Sequence, residues 1–149
     1  MIYTVECSFA DFASEAEWNE FYSLEKLPAL ISVTGFHTSQ RFKAISDGCP
    51  VYLAIHTIDG IDVLMGDEYR RNGGGNFARW QQHITDWHRN LYSDIGFAPE
   101  VKDDECLALC SSGPDPLICI CSHGRCCQVG HLMTPEQRYQ FYTDLSRRL

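Results

Sequence analysis

The chain has 149 residues, 44% apolar and 12% aromatic, with 12 basic against 20 acidic side chains and a net charge of −8. That length fits one domain with a real core, and the apolar content excludes disorder. The negative balance works against nucleic-acid binding; no apolar run reaches the roughly 18 residues of a membrane span; and Met1-Ile2-Tyr3-Thr4-Val5-Glu6 carries no basic-then-apolar leader. The expectation is an acidic, single-domain protein of the cytoplasm.

Residues 1–9 mix β-branched and aromatic side chains and predict a strand. Ser14 is a candidate N-cap, with Glu15 and Glu17 in the first turn where the helix dipole favours them. The helix that follows carries Trp18, Phe21 and Leu24 on one stripe and Tyr22 and Glu25 on its flank, and Pro28 interrupts it. Residues 36–45 alternate as a strand, with His37, Ser39, Arg41 and Lys43 on one face. Ser46-Asp47-Gly48-Cys49-Pro50 is turn chemistry, and residues 51–58 return as a strand apolar enough to be buried on both faces. A short helix over 61–71 ends at Gly73-Gly74-Gly75, read as a hinge. Phe77, Trp80, Ile84, Trp87 and Leu91 then fall within about 80° of one another at roughly 100° per residue, which predicts an amphipathic helix. Beyond an acidic linker over 100–105, strands are expected at 106–110, 117–121 and 125–129. A closing helix over 135–145 starts at Thr134 and Pro135.

Six of the eight cysteines crowd into the last third. Cys119-Ile120-Cys121-Ser122-His123, Cys126-Cys127 and His131 supply soft ligands, but as C-x-C and C-C rather than the paired C-x2–4-C knuckles of structural zinc. Small buried residues on strands are the favoured reading; a metal site and redox chemistry are the alternatives, and no metal or cofactor is expected.

Through residue ~110 this order is β-α-β-β-α-β, the α+β split of ferredoxin-like folds. Residues 1–99 form that core, and 100–149 form a cysteine-rich extension of strands and a helix packed on the same domain. Helices on one face leave the other bare, so the two-faced strand over 51–58 needs a cover. The extension supplies it, or a second copy does, and a two-fold homodimer is the expected partner arrangement.

The stretch Trp18-x-x-Phe21-Tyr22-x-x-x-Lys26-Leu27-Pro28-x-Leu30-x-Ser32-Val33-x-Gly35-Phe36, continuing to Arg41-Phe42, resembles the first half of dimeric α/β-barrel proteins of the EthD-like and related bacterial groups. Tyr52-Leu53-Ala54, Glu68-Tyr69 and Arg89-Asn90-Leu91-Tyr92 are similar too, so the resemblance covers residues ~1–95. It implies a homodimer with a pocket between sheet and helices in each subunit. It leaves the activity open, since that superfamily includes monooxygenases, isomerases, haem degraders, dehydratases, cyclases and ligand-binding domains. The histidine of the relatives' H-L-P is Lys26 here, so no role resting on that imidazole carries over.

His56, His83, His37 and Tyr22 are the candidate catalytic residues. His56 lies mid-strand in an apolar run, where desolvation favours a neutral imidazole; the plain alternative is a core histidine bonded to backbone. His37 shares a strand face with Arg41, pairing a proton carrier with a carboxylate clamp, or else marking an interface. His83 would have Arg79 and Asp86 within one helical turn, or be a solvated flank. Arg41, Glu25, Trp80 and Asn90 are the candidate substrate-binding residues. No P-loop, dinucleotide fingerprint, nucleophile elbow or H-E-x-x-H occurs. The functional expectation is a small cytoplasmic catabolic enzyme without a cofactor. It would use acid–base chemistry on a small aromatic-derived or carbonyl-bearing anion, as an isomerase, lyase or cofactor-independent oxygenase. The alternatives are a non-catalytic ligand-binding module and a metal or haem protein with Cys/His ligands.

Overall fold

Four antiparallel strands make the centre of the molecule. In the computed structural model, side chains are described for residues 1–44, 50–92, 96–98, 100–102 and Leu107, and the backbone also for strands within 105–144. Strands β1 (Ile2–Phe9), β2 (Phe36–Ala44), β3 (Tyr52–Ile58) and β4 (Ile84–Tyr92) lie side by side in the order β4-β1-β3-β2, giving an α+β fold. The register aligns Leu91, Tyr3, His56 and Ser39 in one row across the sheet, and Arg89, Val5, Ala54 and Arg41 in the next. The backbones of β5 (Glu105–Cys110), β6 (Leu117–Ser122), β7 (Arg125–Cys127) and β8 (Tyr139–Asp144) continue the sheet, with β8 paired to β2.

One helical segment covers the first face. It runs as α1 (Glu15–Phe21), a wide π turn over Tyr22–Lys26, and α2 (Leu27–Ile31). Pro28 has no N–H to give and its ring crowds the carbonyl four residues back; opening the helix by one residue just before it relieves both. The wide turn also moves the buried stripe. Trp18 and Tyr22 are followed inward by Lys26, Leu27 and Leu30, while Leu24 is left 67% exposed, so the expected Trp18–Phe21–Leu24 stripe is replaced. Trp18, at 0% exposure, anchors the face against Phe9, Tyr22 and Tyr52. Burying each such side chain contributes roughly 1.5–3 kcal/mol.

Two expected helices are strands. Residues 77–91 form a short 3-10 helix over Ala78–His83 and then β4. An extra residue bulges out of β4 between the pairs Glu6–His88 and Ser8–Thr85, with Asp86 at φ +49°. The bulge puts Ile84 and Trp87, three apart, on the same face of the sheet, packed on one core cluster. Three-residue spacing in a bulged strand after a 3-10 turn therefore imitates a helical stripe. The closing helix over 135–145 is likewise replaced over 139–144 by β8, and 135–138 lie outside the described residues.

The expected short helix over 61–71 is two, α3 (Ile61–Met65) and α4 (Asp67–Arg71), parted at Gly66. The glycines after them make a tight loop: Gly73 and Gly75 have φ of +78° and +75°, and a Cβ on Gly74 would sit 2.3 Å from the Tyr69 ring. No helix among the described residues is long and apolar enough to cross a membrane.

All seven residues of β3 are buried, as its two-faced sequence predicts. On the second face Ile2, Phe42, Leu53 and Ile55 pack against Ala98, Val101 and Leu107 of the same chain. The Gln40 carboxamide fixes that cover, its Nε2 donating to the Val101 carbonyl at 2.7 Å and its Oε1 accepting from the Val101 N–H at 3.2 Å.

Candidate functional site

The interior between the helical segment and the sheet is polar in two places, separated by the Tyr22 ring. On one side Arg41, 1% exposed, donates to the Asn19 carbonyl, to Asn19 Oδ1 at 2.8 Å and to Ser23 Oγ at 2.9 Å, with its guanidinium 4.0 Å from the Tyr22 ring centre. Beside it Tyr52 donates to Glu15 and accepts from Asn19 Nδ2. Burial pushes the Tyr52 phenol up to about 12. This side is filled.

The other side holds a narrow cavity lined by Tyr3, Tyr22, Lys26, Tyr69, Phe77 and Trp87, of about 10 Å³, room for one water. Lys26 reaches it because the π turn rotates it inward. Its Nζ donates to the carbonyls of Gly73, at 2.5 Å, and Asn76, and lies 5.2 Å from the centre of the Phe77 ring. Among the described residues no carboxylate forms an ion pair with it. Burial disfavours the ammonium and brings Lys26 down to about 8.

Tyr3 from β1 and Tyr69 from α4 meet in the same wall, their hydroxyl oxygens 3.1 Å apart. Burial, and then the neighbouring Tyr69, hold the Tyr3 phenol protonated. The Arg89 guanidinium from β4 lies beside both phenols, exposed toward solvent next to Gly75 and Trp87. Tyr3 stacks in turn on His56, with ring centres 5.4 Å apart. His56 is wholly buried; its Nδ1 bonds Ser39 Oγ at 2.7 Å and its Nε2 has no partner among the described residues. Burial lowers it to about 3, so the ring is neutral.

Only Tyr22, of the eight residues singled out from sequence, lines this cavity. His56 lies one layer behind it, and Arg41 occupies the filled side. His37 is the extra residue of a bulge in β2, between the pairs Phe36–Ile58 and Thr38–Thr57. That displacement separates it from Arg41, and it sits exposed with Nε2 2.6 Å from Asp59 Oδ1. His83 ends the 3-10 helix beside Gln82 and the Phe9 ring. Without the expected helix, its one-turn pairing with Arg79 and Asp86 does not exist. Asn90 pairs with Thr4 in the row between those of Tyr3 and Val5, which places it on the opposite face of the sheet. Glu25 and Trp80 line a different feature, an open groove of about 490 Å³ on the outer flank of the helical segment, shared with Glu17, Glu20 and Arg79. Arg79 is paired there with Glu17, so the groove stays acidic.

Tyr3, Tyr69 and Arg89 were not singled out as site residues from sequence because they come from three elements, the two tyrosines 66 positions apart. Lys26 carried a signal: it is four residues from both Tyr22 and Leu30, on the inward stripe. The candidate ligands among Cys106–His131 have side chains outside the described residues. Among the described residues no three His, Cys, Asp or Glu side chains are grouped to hold a metal ion. Comparison of the chain with protein-family models, with curated proteins and with solved structures finds no match.

Proposed function

We propose that this is a ferredoxin-like protein akin to the dimeric α/β-barrel enzymes, a small catabolic enzyme of the cytoplasm. It would act without a cofactor on a small carbonyl-bearing or aromatic-derived anion, as an isomerase, a lyase or a cofactor-independent oxygenase. The strand order β4-β1-β3-β2 supports the fold. The observation that carries the function is the meeting of Lys26, two phenols and a guanidinium at one aromatic-walled cavity. Charge chooses between the two concavities: the outer groove is rimmed by Glu17, Glu20 and Glu25 and repels an anion, whereas Arg89 attracts one to the inner cavity. The reading gives no role to a twin subunit on the second face of the sheet, where Ala98, Val101 and Leu107 already pack.

In this reading Arg89 holds the substrate's carboxylate at the mouth. The Tyr3–Tyr69 phenol pair donates a hydrogen bond to the carbonyl oxygen as negative charge grows there. Lys26, titrating close to neutral pH, takes the proton from the adjacent carbon. His56 cannot share that work, because a base with a pKa of about 3 has little affinity for a proton at pH 7; its place is behind Tyr3, setting the ring. The ligand enters by displacing the Gly73–Asn76 carbonyls from Lys26, since the narrow cavity has room for only a water.

Exchange of α-protons of small 2-oxo carboxylates in D2O, followed by proton NMR, tests this. The protein accelerates exchange, Lys26→Met slows it by about 10²-fold or more, and Arg89→Gln weakens binding by about tenfold in calorimetry. Saturable binding without exchange makes the protein a ligand-binding module instead. Binding indifferent to Arg89→Gln removes the cavity as the site.

A further inference from the structure

We infer that Lys26 is a covalent carbonyl-capturing residue, forming an imine between its Nζ and the carbonyl carbon of a small anionic aldehyde or 2-oxo acid held in the cavity beneath the helical segment. The inference rests on the reading of that cavity as the site of a carbonyl-bearing anion, and makes Lys26 the covalent partner of the carbonyl carbon in place of the base that takes the adjacent proton.

Four features of the geometry support it. Lys26 is 7% exposed and lines the cavity. It has no carboxylate partner among the described residues, so no ion pair holds it as an ammonium. Its two hydrogen-bond partners among the described residues are the carbonyls of Gly73 and Asn76. A neutral amine has two N–H donors, so those carbonyls can be satisfied while the lone pair stays unbound. Finally, the walls include Tyr22, Phe77 and Trp87, largely apolar surroundings of the kind that turns a lysine into a nucleophile. Depression of its pKa to about 8 leaves a tenth of it unprotonated near pH 7, against a far smaller share of an ordinary lysine.

The step balances without any further reactant. The neutral amine adds to the carbonyl carbon. One nitrogen proton passes to the oxygen, giving a carbinolamine. Loss of the hydroxyl with a second proton then forms C=N and releases one water. The Tyr3–Tyr69 pair, already sharing a hydrogen bond, is placed to relay that proton, and Arg89 to hold the carboxylate.

The chain supplies its own controls, since its other lysines, Lys43 and Lys102, are exposed. The intact protein is incubated near neutral pH with glyoxylate and cyanoborohydride, which delivers hydride to the imine carbon and leaves a stable secondary amine. Peptide mapping then locates the adduct, with the Met1 α-amine read on its own peptide. Lys26 is expected to be modified about tenfold or more faster than Lys43 and Lys102, and excess pyruvate slows its labelling selectively. Lys26→Arg, checked for folding by circular dichroism, leaves labelling elsewhere unchanged and abolishes the fast site. Labelling at Lys43 and Lys102 that outpaces Lys26 overturns the imine. Catalysed proton exchange with no Lys26 adduct also overturns it, while leaving the acid–base reading intact.

Discussion

Arg41 keeps its charge in the interior because three acceptors on Asn19 and Ser23 and the face of Tyr22 replace the water it lost. Lys26 has two carbonyls and the more distant faces of Phe77 and Tyr22 for compensation among the described residues, and its charge is correspondingly weakened. His56 has one hydroxyl and gives up its charge altogether. The last case fixes a pH dependence. The unfolded imidazole binds a proton below about pH 6.5 while the folded one binds it only near 3, so the unfolded state takes up protons first as pH falls. Stability is therefore lost through that window, by about 1.4 kcal/mol per pH unit at most, roughly 2 kcal/mol between pH 6.5 and 5. Urea midpoints across those pH values measure it. His56→Gln starts from a lower stability at pH 7 and shows a flatter slope; an unchanged slope would assign the loss elsewhere.

The elements differ in how plainly their residues announce them. β1, β2 and β3 were legible because alternation and turn chemistry act over a few neighbouring residues, and full burial of β3 followed from its unbroken apolar run. β4 was misread because Trp80, Ile84 and Trp87 keep helical spacing while lying on a 3-10 turn and a bulged strand. His37 was misplaced by the same device in β2. A bulge inverts the odd–even rule for everything beyond it, and no local propensity marks where it falls. The inner site was read from sequence only at Tyr22; Lys26 shares its stripe four residues on, whereas Tyr3, Tyr69 and Arg89 join it through tertiary structure alone. Asp86 tests the account of β4. At φ +49° it has a backbone that glycine adopts freely and β-branched residues resist. Asp86→Gly should hold or raise stability by up to ~1 kcal/mol, and Asp86→Val should lower it by ~1–2 kcal/mol in thermal unfolding. Equal effects of the two would mean that the positive φ is not what the position requires.

At the scale of the whole molecule, the described residues place packing from this chain on both faces of the four central strands. The helical segment covers one side, and Ala98, Val101 and Leu107 cover the other. A two-faced β3 predicted a cover and left its source open, and the described residues place the chain's own segment there. Val101, 2% exposed and bracketed by the Gln40 carboxamide, is the point at which that cover is pinned. Val101→Asp buries a carboxylate in the apolar cluster, and is expected to destabilise by about 3 kcal/mol or more. Val101→Ile should cost under about 1.5 kcal/mol. Chemical denaturation separates the two, and a mild effect of the aspartate would mean that the second face is covered differently in solution. The remaining boundary is lateral. β4 ends the sheet, and its outer side offers backbone donors and acceptors to any extended chain that drifts past. The kink at Asp86 and the charged Arg89 make that rim a poor template for strand addition. The same irregularity that disguises β4 as a helix thus works as a guard against fibre-like self-association in crowded solution.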